Sequence, residues 1–265
     1  MKDRFSLLKQ NVLITGGAGF LAKFHIQALI EKKANIFIID KNYEGLIKQK
    51  QKFSKYKNIY IFNCDITNKK ELFKINKNIL NRFKKIDVLI NNAFNDYKID
   101  KKINYVKSNK IDIGINSWHN DLEVGLTGAL NCIEIFSKSM LKYKKGVILN
   151  IGSDLSILSP NQNLYNHLKI KKPISYSVTK HGLLGITKYF ATLWAKKGIR
   201  INTLSPGAIE LNQDKKFKEK INELIPMGRM CKAYEILEIV QFLCSDASSY
   251  MTGQNIVLDG GRSVW

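Results

Sequence analysis

Cysteine is scarce in this 265-residue chain: Cys64, Cys132, Cys231 and Cys244 stand far apart, with no C-x-x-C and no histidine at metal-ligand spacing. That pattern excludes a disulfide scaffold and the common zinc motifs, and reduced, mostly buried thiols with no metal are expected. No apolar run approaches the ~18 residues needed to cross a bilayer, and the opening MKDRFSLLKQN has neither an apolar block nor a small-residue cleavage site. A soluble, unexported, cytoplasmic protein without a membrane partner is the expectation. There are only four prolines and no Pro/Gly/Ser-rich linker, so one domain spanning 1–265 is the simplest organisation. Acidic residues are few as well: 22 Asp plus Glu against 43 Lys plus Arg give a formal charge of +21. Such a balance invites a nucleic-acid reading. Arginine argues against it, because only Arg4, Arg82, Arg200, Arg229 and Arg262 carry the guanidinium fork that reads bases and phosphates. The lysines are spread over the whole chain as a solvated surface would have them.

What is present is a core. Hydrophobic residues make up 45% of the chain, and they fall in short runs: Val12 to Ile14, Ile36 to Ile39, Ile59 to Phe62, Val88 to Ile90, Val147 to Ile151, Ile199 to Asn202 and Ile256 to Leu258. Between them lie segments of helical period, expected near 20–33, 69–84, 118–142, 176–197 and 232–244. Continuous apolar strands alternating with helices indicate an α/β fold, a single-domain Rossmann-like doubly wound parallel sheet with helices on both faces. Two stretches, 92–117 and 154–175, lack clear period; long irregular segments in such a domain are usually functional rims or lids.

Gly16 and Gly19 follow the first strand and precede the first helix, where glycines let a backbone approach a pyrophosphate and the helix N-terminus offers unpaired N–H groups. Phe20 and Leu21 lead from that turn into the helix, and Ala22 stands where a third glycine is common. A plain tight turn would explain the glycines equally well. Asp40, closing the next strand about twenty residues on, changes this, because a carboxylate there can accept both hydroxyls of an adenosine ribose; a helix cap is its other reading. Further on, Tyr176 and Lys180 lie one helical turn apart on one face. A free phenol ionises near ~10, so Tyr176 needs a nearby cation to act as a base at neutral pH, and Lys180 is placed for that. Ser153 follows a strand at its carboxyl end, the edge where doubly wound sheets bind ligands; it could polarise a carbonyl or merely cap a turn.

Taken together, ITGGAGFLA (14–22), Cys64-Asp65-Ile66, LINNA (89–93), NIGS (150–153), YSVTK (176–180), RINTLSPG (200–207) and MTGQNIVLDGG (251–261) resemble the short-chain dehydrogenase/reductase family, in family order and on the expected elements. The resemblance implies a nicotinamide cofactor, with Asp65 and Ile66 flanking the adenine, Asn91 and Ala93 passing beside the cofactor, Ser153, Tyr176 and Lys180 catalytic, and Pro206-Gly207 near the nicotinamide. Asp40 would meet a 2′-phosphate as a like charge, so NAD is expected over NADP. A homo-oligomer, tetramer or dimer, is also implied.

Two features depart from the family pattern. Gly125 stands where the family usually has an asparagine that organises a proton-relay water, so the relay is arranged differently or the catalysis is impaired. The span from Ser153 to Tyr176 is longer than usual, which suggests a substrate lid at about 154–175. With GSDLSILSPNQNLY and the ending DGGRSVW, the chain resembles dehydrogenases of flagellin modification or surface-glycan synthesis, implying a carbohydrate substrate: a sugar, sugar phosphate or nucleotide sugar. The competing readings are a cofactor-binding regulatory protein, a nucleotide-sugar epimerase or dehydratase, and a nucleic-acid binder. His119, His167 and His181 read as solvated or helix-face side chains, Lys169, Lys171 and Lys172 as surface lysines that could hold a phosphate, and Arg229 as a surface ion pair.

Overall fold

The computed structural model describes residues 3–95, 115–168 and 171–265. Seven parallel strands carry the architecture: β1 (Asn11–Thr15), β2 (Asn35–Asp40), β3 (Ile59–Asn63), β4 (Val88–Asn91), β5 (Gly146–Ile151), β6 (Ile199–Pro206) and β7 (Asn255–Leu258), in the spatial order β3-β2-β1-β4-β5-β6-β7. Every pairing is parallel. Successive side chains of a strand point to opposite faces, and the two faces are both apolar. Val12, Ile14, Ile36, Ile38, Val88 and Ile90 join one core cluster, whereas Leu13, Phe37, Ile39 and Leu89 join the other. This explains why the strands read as unbroken apolar runs.

The first face is covered by α1 (Ala22–Glu31), α2 (Tyr43–Lys52) and α8 (Leu237–Cys244), through residues such as Ile26, Leu46 and Val240. Against the second lie α3 (Lys69–Phe83), α5 (Ala129–Tyr143) and α6 (Ile174–Trp194), through Leu72, Phe136 and Ala191. Between α4 (Ile115–Leu122) and α5 the expected single helix is interrupted by a π-helical turn, Glu123–Gly128. Its glycines admit neighbours that a side chain would exclude: a Cβ on Gly128 would lie 2.6 Å from Ile66 Cδ1.

Two helices escaped the sequence reading, α2 and α7 (Lys215–Glu223). Each is short and fully buries a single apolar side chain, Leu46 in α2 and Ile221 in α7, although α7 also turns Phe217 toward the Ile221 cluster. Their signal was the cap: Asn42 accepts from Gly45 N–H and Asp214 from Phe217 N–H. The supposedly irregular 154–175 contains two 3-10 segments, Asp154–Ser156 and Gln162–Leu168, before α6 begins. Most of 92–117, and Lys169, fall outside the described residues. Strand order reverses between β1 and β4, and the carboxyl edge there is the ligand crevice of a doubly wound sheet. No helix among the described residues is long and apolar enough to cross a membrane.

Candidate active site

At the end of β1 the chain turns with Gly16 at φ +66°, the left-handed region, and a Cβ there would lie 2.7 Å from Ala93 Cα. Only glycine fits so close a backbone. The turn closes through Gly19 N–H on Gly16 O at 3.0 Å and Gly17 N–H on Ile39 O at 3.0 Å. It is pinned to β4 by Asn92, whose amide donates to Thr15 O and Gly16 O, and by Thr15 Oγ1, which accepts from Asn92 and Ala93 N–H. Asn92 was missed in the sequence, although it stands inside LINNA. Phe20 leads into Leu21, the N-cap of α1, which makes no side-chain cap bond, so the helix keeps donors for an anion.

Asp40 anchors the far side of the turn: Oδ2 accepts from Ala18 N–H at 3.0 Å and Oδ1 from Asn42 N–H at 2.8 Å. Asp65 Oδ1 accepts from Thr67 N–H and Oγ1. Gly16, Asp40, Asp65, Ile66 and Ala93 line one cavity of about 60 Å³, together with Lys41. These residues fit a dinucleotide: a backbone cradle that a Cβ would fill, an uncapped helix start and a carboxylate at the end of β2.

A second cavity of about 140 Å³ lies at the ends of β5 and β6 and contains Ser153, Tyr176 and Gly207. Ser153 caps the 3-10 turn after β5, accepting from Leu155 N–H at 3.1 Å and donating its hydroxyl to Asp154 Oδ1 at 2.9 Å. The Tyr176 ring meets Phe94 edge to face at 5.2 Å, and Lys172 Nζ lies 3.6 Å from the tyrosine ring centroid. Lys172 is held at its backbone by Gln162, which accepts its N–H and donates to its carbonyl. Lys180 Nζ is 5.7 Å from the same ring and donates to Ile151 O at 2.8 Å. Burial pushes its pKa down to about 7, and the charge of Lys172 adds to this. Just before Tyr176, Ser175 Oγ donates to buried Asp121 at 2.5 Å, and burial raises the Asp121 carboxyl.

Six expected residues line neither cavity: Gly19, Phe20 and Leu21, which carry the turn into α1, and Asn91, Lys180 and Pro206. Asn91 donates to Asn150 Oδ1 at 2.9 Å and begins a buried polar chain through Thr187 to Thr203 that ties β4, β5, α6 and β6 together. Pro206 ends β6 opposite Leu258, and Lys180 reaches the site from within the core. Gly125 is closed off, because a Cβ on it would lie 2.3 Å from Thr179 Cγ2 and 3.2 Å from the Phe94 ring. A larger side chain at 125 could not be placed without moving Thr179 or Phe94. The remaining candidates pair elsewhere: His167 with Asp214 at 2.8 Å, His181 with Ser177 O, and Arg229 with Glu235 at 2.8 Å.

Unforeseen in the second cavity are Asp154, Tyr165 and Arg262. Arg262 Nη1 meets Asp154 Oδ2 at 2.6 Å, with side-chain exposures of 10% and 4%.

A family model described as enoyl-(acyl carrier protein) reductase matches residues 21–263. The 3-oxoacyl-(acyl-carrier-protein) reductase of Thermotoga maritima is 30% identical over 260 residues, which are 95% of this chain and 97% of that protein. The NAD-dependent glycerol dehydrogenase of Listeria innocua is 26% identical over 265 residues, 98% of this chain and 96% of the relative. Among solved structures, a gluconate 5-dehydrogenase from Burkholderia cenocepacia in complex with NADP and tartrate superposes with a TM-score of 0.84 at 26% identity, covering 99% of this chain and 98% of that one.

Proposed function

This chain belongs to the short-chain dehydrogenase/reductase family and is one of its oxidoreductases, and we propose that it is an NAD-dependent dehydrogenase of a secondary alcohol in a carbohydrate: a sugar, sugar phosphate or nucleotide sugar. The observation that carries the reading is the wall of the second cavity. Around Ser153 and Tyr176 it presents Asp154, Asn161, Lys172, Gln213 and Arg262, a set of donors and acceptors suited to hydroxyls. Hydroxyls can add to the bonds these groups already make, such as Asp154 with Arg262 and Gln213 with Ile209 O, whereas an acyl chain offers them only carbon. Resemblance of 152–165 and 259–265 to flagellin-modification and surface-glycan dehydrogenases motivates a role in making such a glycan.

In this reading the nicotinamide supplies the hydride acceptor for oxidation and the donor for reduction. Gly16, Gly19 and the start of α1 would hold its pyrophosphate, Asp40 the adenosine ribose, and Asp65 and Ile66 the adenine. NAD is favoured over NADP because the Asp40 carboxylate meets a 2′-phosphate as a like charge, although Lys41 lines the same cavity. Tyr176 Oη would take the proton from the substrate hydroxyl, Ser153 would hold the substrate oxygen, and the Lys180 ammonium would stabilise the phenolate. Residues 154–175 contribute Leu155, Pro160 and Leu164 to the same wall, in keeping with a segment that covers the substrate. A homo-oligomer would bury the exposed Leu130, Val178, Tyr189 and Leu193 of α5 and α6.

The test is NADH formation from glycerol, D-threitol, gluconate and UDP-glucose, run beside reduction of acetoacetyl-coenzyme A. Faster turnover of the thioester, with no polyol or sugar oxidised, would overturn the carbohydrate reading and favour the acyl reductase that the Thermotoga relative represents.

A further inference from the structure

Two stretches of the sequence that set this chain apart, GSDLS at 152–156 and DGGRSVW at 259–265, prove to be in contact. Asp154 and Arg262 are 108 positions apart and meet at 2.6 Å in a nearly buried ion pair. Desolvating both charges is expensive, and an apolar pair of the same volume would often hold the fold as well. A role beyond packing is therefore worth seeking, and the partner of the pair supplies one.

Asp154 Oδ1 accepts the Ser153 hydroxyl at 2.9 Å and Leu155 N–H at 2.8 Å, while Oδ2 takes Arg262. An ionised carboxylate accepts only, so the serine hydrogen is directed at Asp154. To hold a substrate oxygen by donation, that hydrogen must exchange the carboxylate for the substrate. Arg262 holds Asp154 in place through its other oxygen, and with it the direction from which the serine hydroxyl is handed to the substrate. Delivery of the guanidinium is itself built in. Asp259 accepts from Gly261 N–H at 3.0 Å and Ser263 N–H at 2.7 Å, and Gly261 turns at φ +92°, where a Cβ would press on Pro226 Cγ at 3.0 Å.

We propose that Arg262, acting through Asp154, is a positioning residue for the hydroxyl of Ser153, so that the last residues of the chain complete the active site. The inference rests on the serine role given under the proposed function.

The test compares wild type, Arg262→Ala, Arg262→Lys, Ser153→Ala and the double variant Ser153→Ala/Arg262→Ala in the oxidation of D-threitol by NAD. Arg262→Ala should lower kcat roughly 10- to 100-fold, as misplacing a catalytic group does, leave the Kd for NAD within about twofold, and be partly rescued by added guanidinium. In the Ser153→Ala background the same change should matter less than about threefold, because its route runs through the serine. An equal loss in both backgrounds, or a raised KM for threitol at unchanged kcat, would overturn the proposal. Arg262→Lys, which keeps the charge but not the fork, gives an intermediate kcat and serves if Arg262→Ala does not fold. A crystal structure of the Arg262 variant reads the geometry without turnover. Ser153 Oγ displaced from Asp154 supports the proposal, and Ser153 still at 2.9 Å overturns it. Should wild type oxidise no polyol, the substrate reading fails and this structural arm alone decides the inference.

Discussion

Thr179 Cγ2 occupies the space that a β-carbon on Gly125 would need, at 2.3 Å from its ideal position. Thr179 sits on α6 between Tyr176 and Lys180, so the glycine lets α6 approach the π-helical turn. Gly125→Ala should therefore overpack the junction and cost about 1–3 kcal/mol, lowering Tm by roughly 2–4 °C for each kcal/mol. Thr179→Ser removes the offending methyl and should restore part of the loss in the double variant. A Gly125→Ala melt superimposable on wild type would show that the helices are free to part.

Asp40 Oδ1 and Oδ2 each accept a backbone N–H, from Asn42 and Ala18. The carboxylate is thus fixed in direction before any ribose arrives, and its charge faces the cavity it shares with Lys41. Asp40→Asn keeps an acceptor and removes the charge, so calorimetry should show the preference for NAD over NADP narrowing by at least about tenfold, equivalent to ~1.4 kcal/mol. Equal affinities in wild type would contradict the choice of NAD.

The strands, the glycine turn, Asp40 at the end of its strand and the Tyr176–Lys180 spacing were legible because each rests on local pattern, apolar runs, a turn or a four-residue interval, whereas grouping Ser153 with Tyr176 and Lys180 came only from the family resemblance. Asp154 and Arg262 were hidden because their pairing spans 108 positions and has no local period. Asn92 is a different case, since its neighbours in LINNA drew the reading while the side chain that pins the turn was passed over. The π-helical turn was invisible for the reason Gly125 is informative: the sequence shows an absent side chain, and only the structure shows Thr179 filling the gap.

His25 is fully buried on α1, and burial lowers its pKa from 6.5 to about 4, a shift that Asn92 partly opposes. The sign follows from linkage. Below 6.5 the unfolded chain takes up a proton that the folded one refuses until about pH 4, so stability falls as the pH drops through that window. Between pH 6.5 and 5 the loss from this group should be about 2 kcal/mol. His25→Gln should flatten the acid limb of denaturant-derived stability; an unchanged slope would place the acid sensitivity elsewhere.

Under the proposed mechanism Lys180 ties stability to turnover. Its pKa is pushed from 10.5 down to about 7 by burial and by Lys172, so the folded protein resists protonating it. Under linkage the resulting destabilisation is fully present below about pH 7 and is relieved as pH rises toward 10.5. Lys180→Met, which keeps much of the stem and lacks the charge, should accordingly raise Tm at pH 6 while abolishing most turnover, a pattern that a merely structural lysine would not give. Tyr176→Phe removes one oxygen and preserves the ring that packs on Phe94 and under Lys172, so fold and NAD affinity should persist. Turnover should fall by about 10²–10⁴, roughly 3–5 kcal/mol of barrier, because the group that accepts the substrate proton is gone. With Lys172 and Lys180 both near the phenol ring, the pH profile of oxidation should show an apparent pKa well under the ~10 of a free phenol. Replacing Lys172 by Met should move that midpoint upward while leaving the Kd for NAD nearly unchanged, since Lys172 lies over the tyrosine ring and lines the substrate cavity. Near wild-type turnover by Tyr176→Phe on the oxidised substrate would overturn the proton-transfer role assigned to this residue.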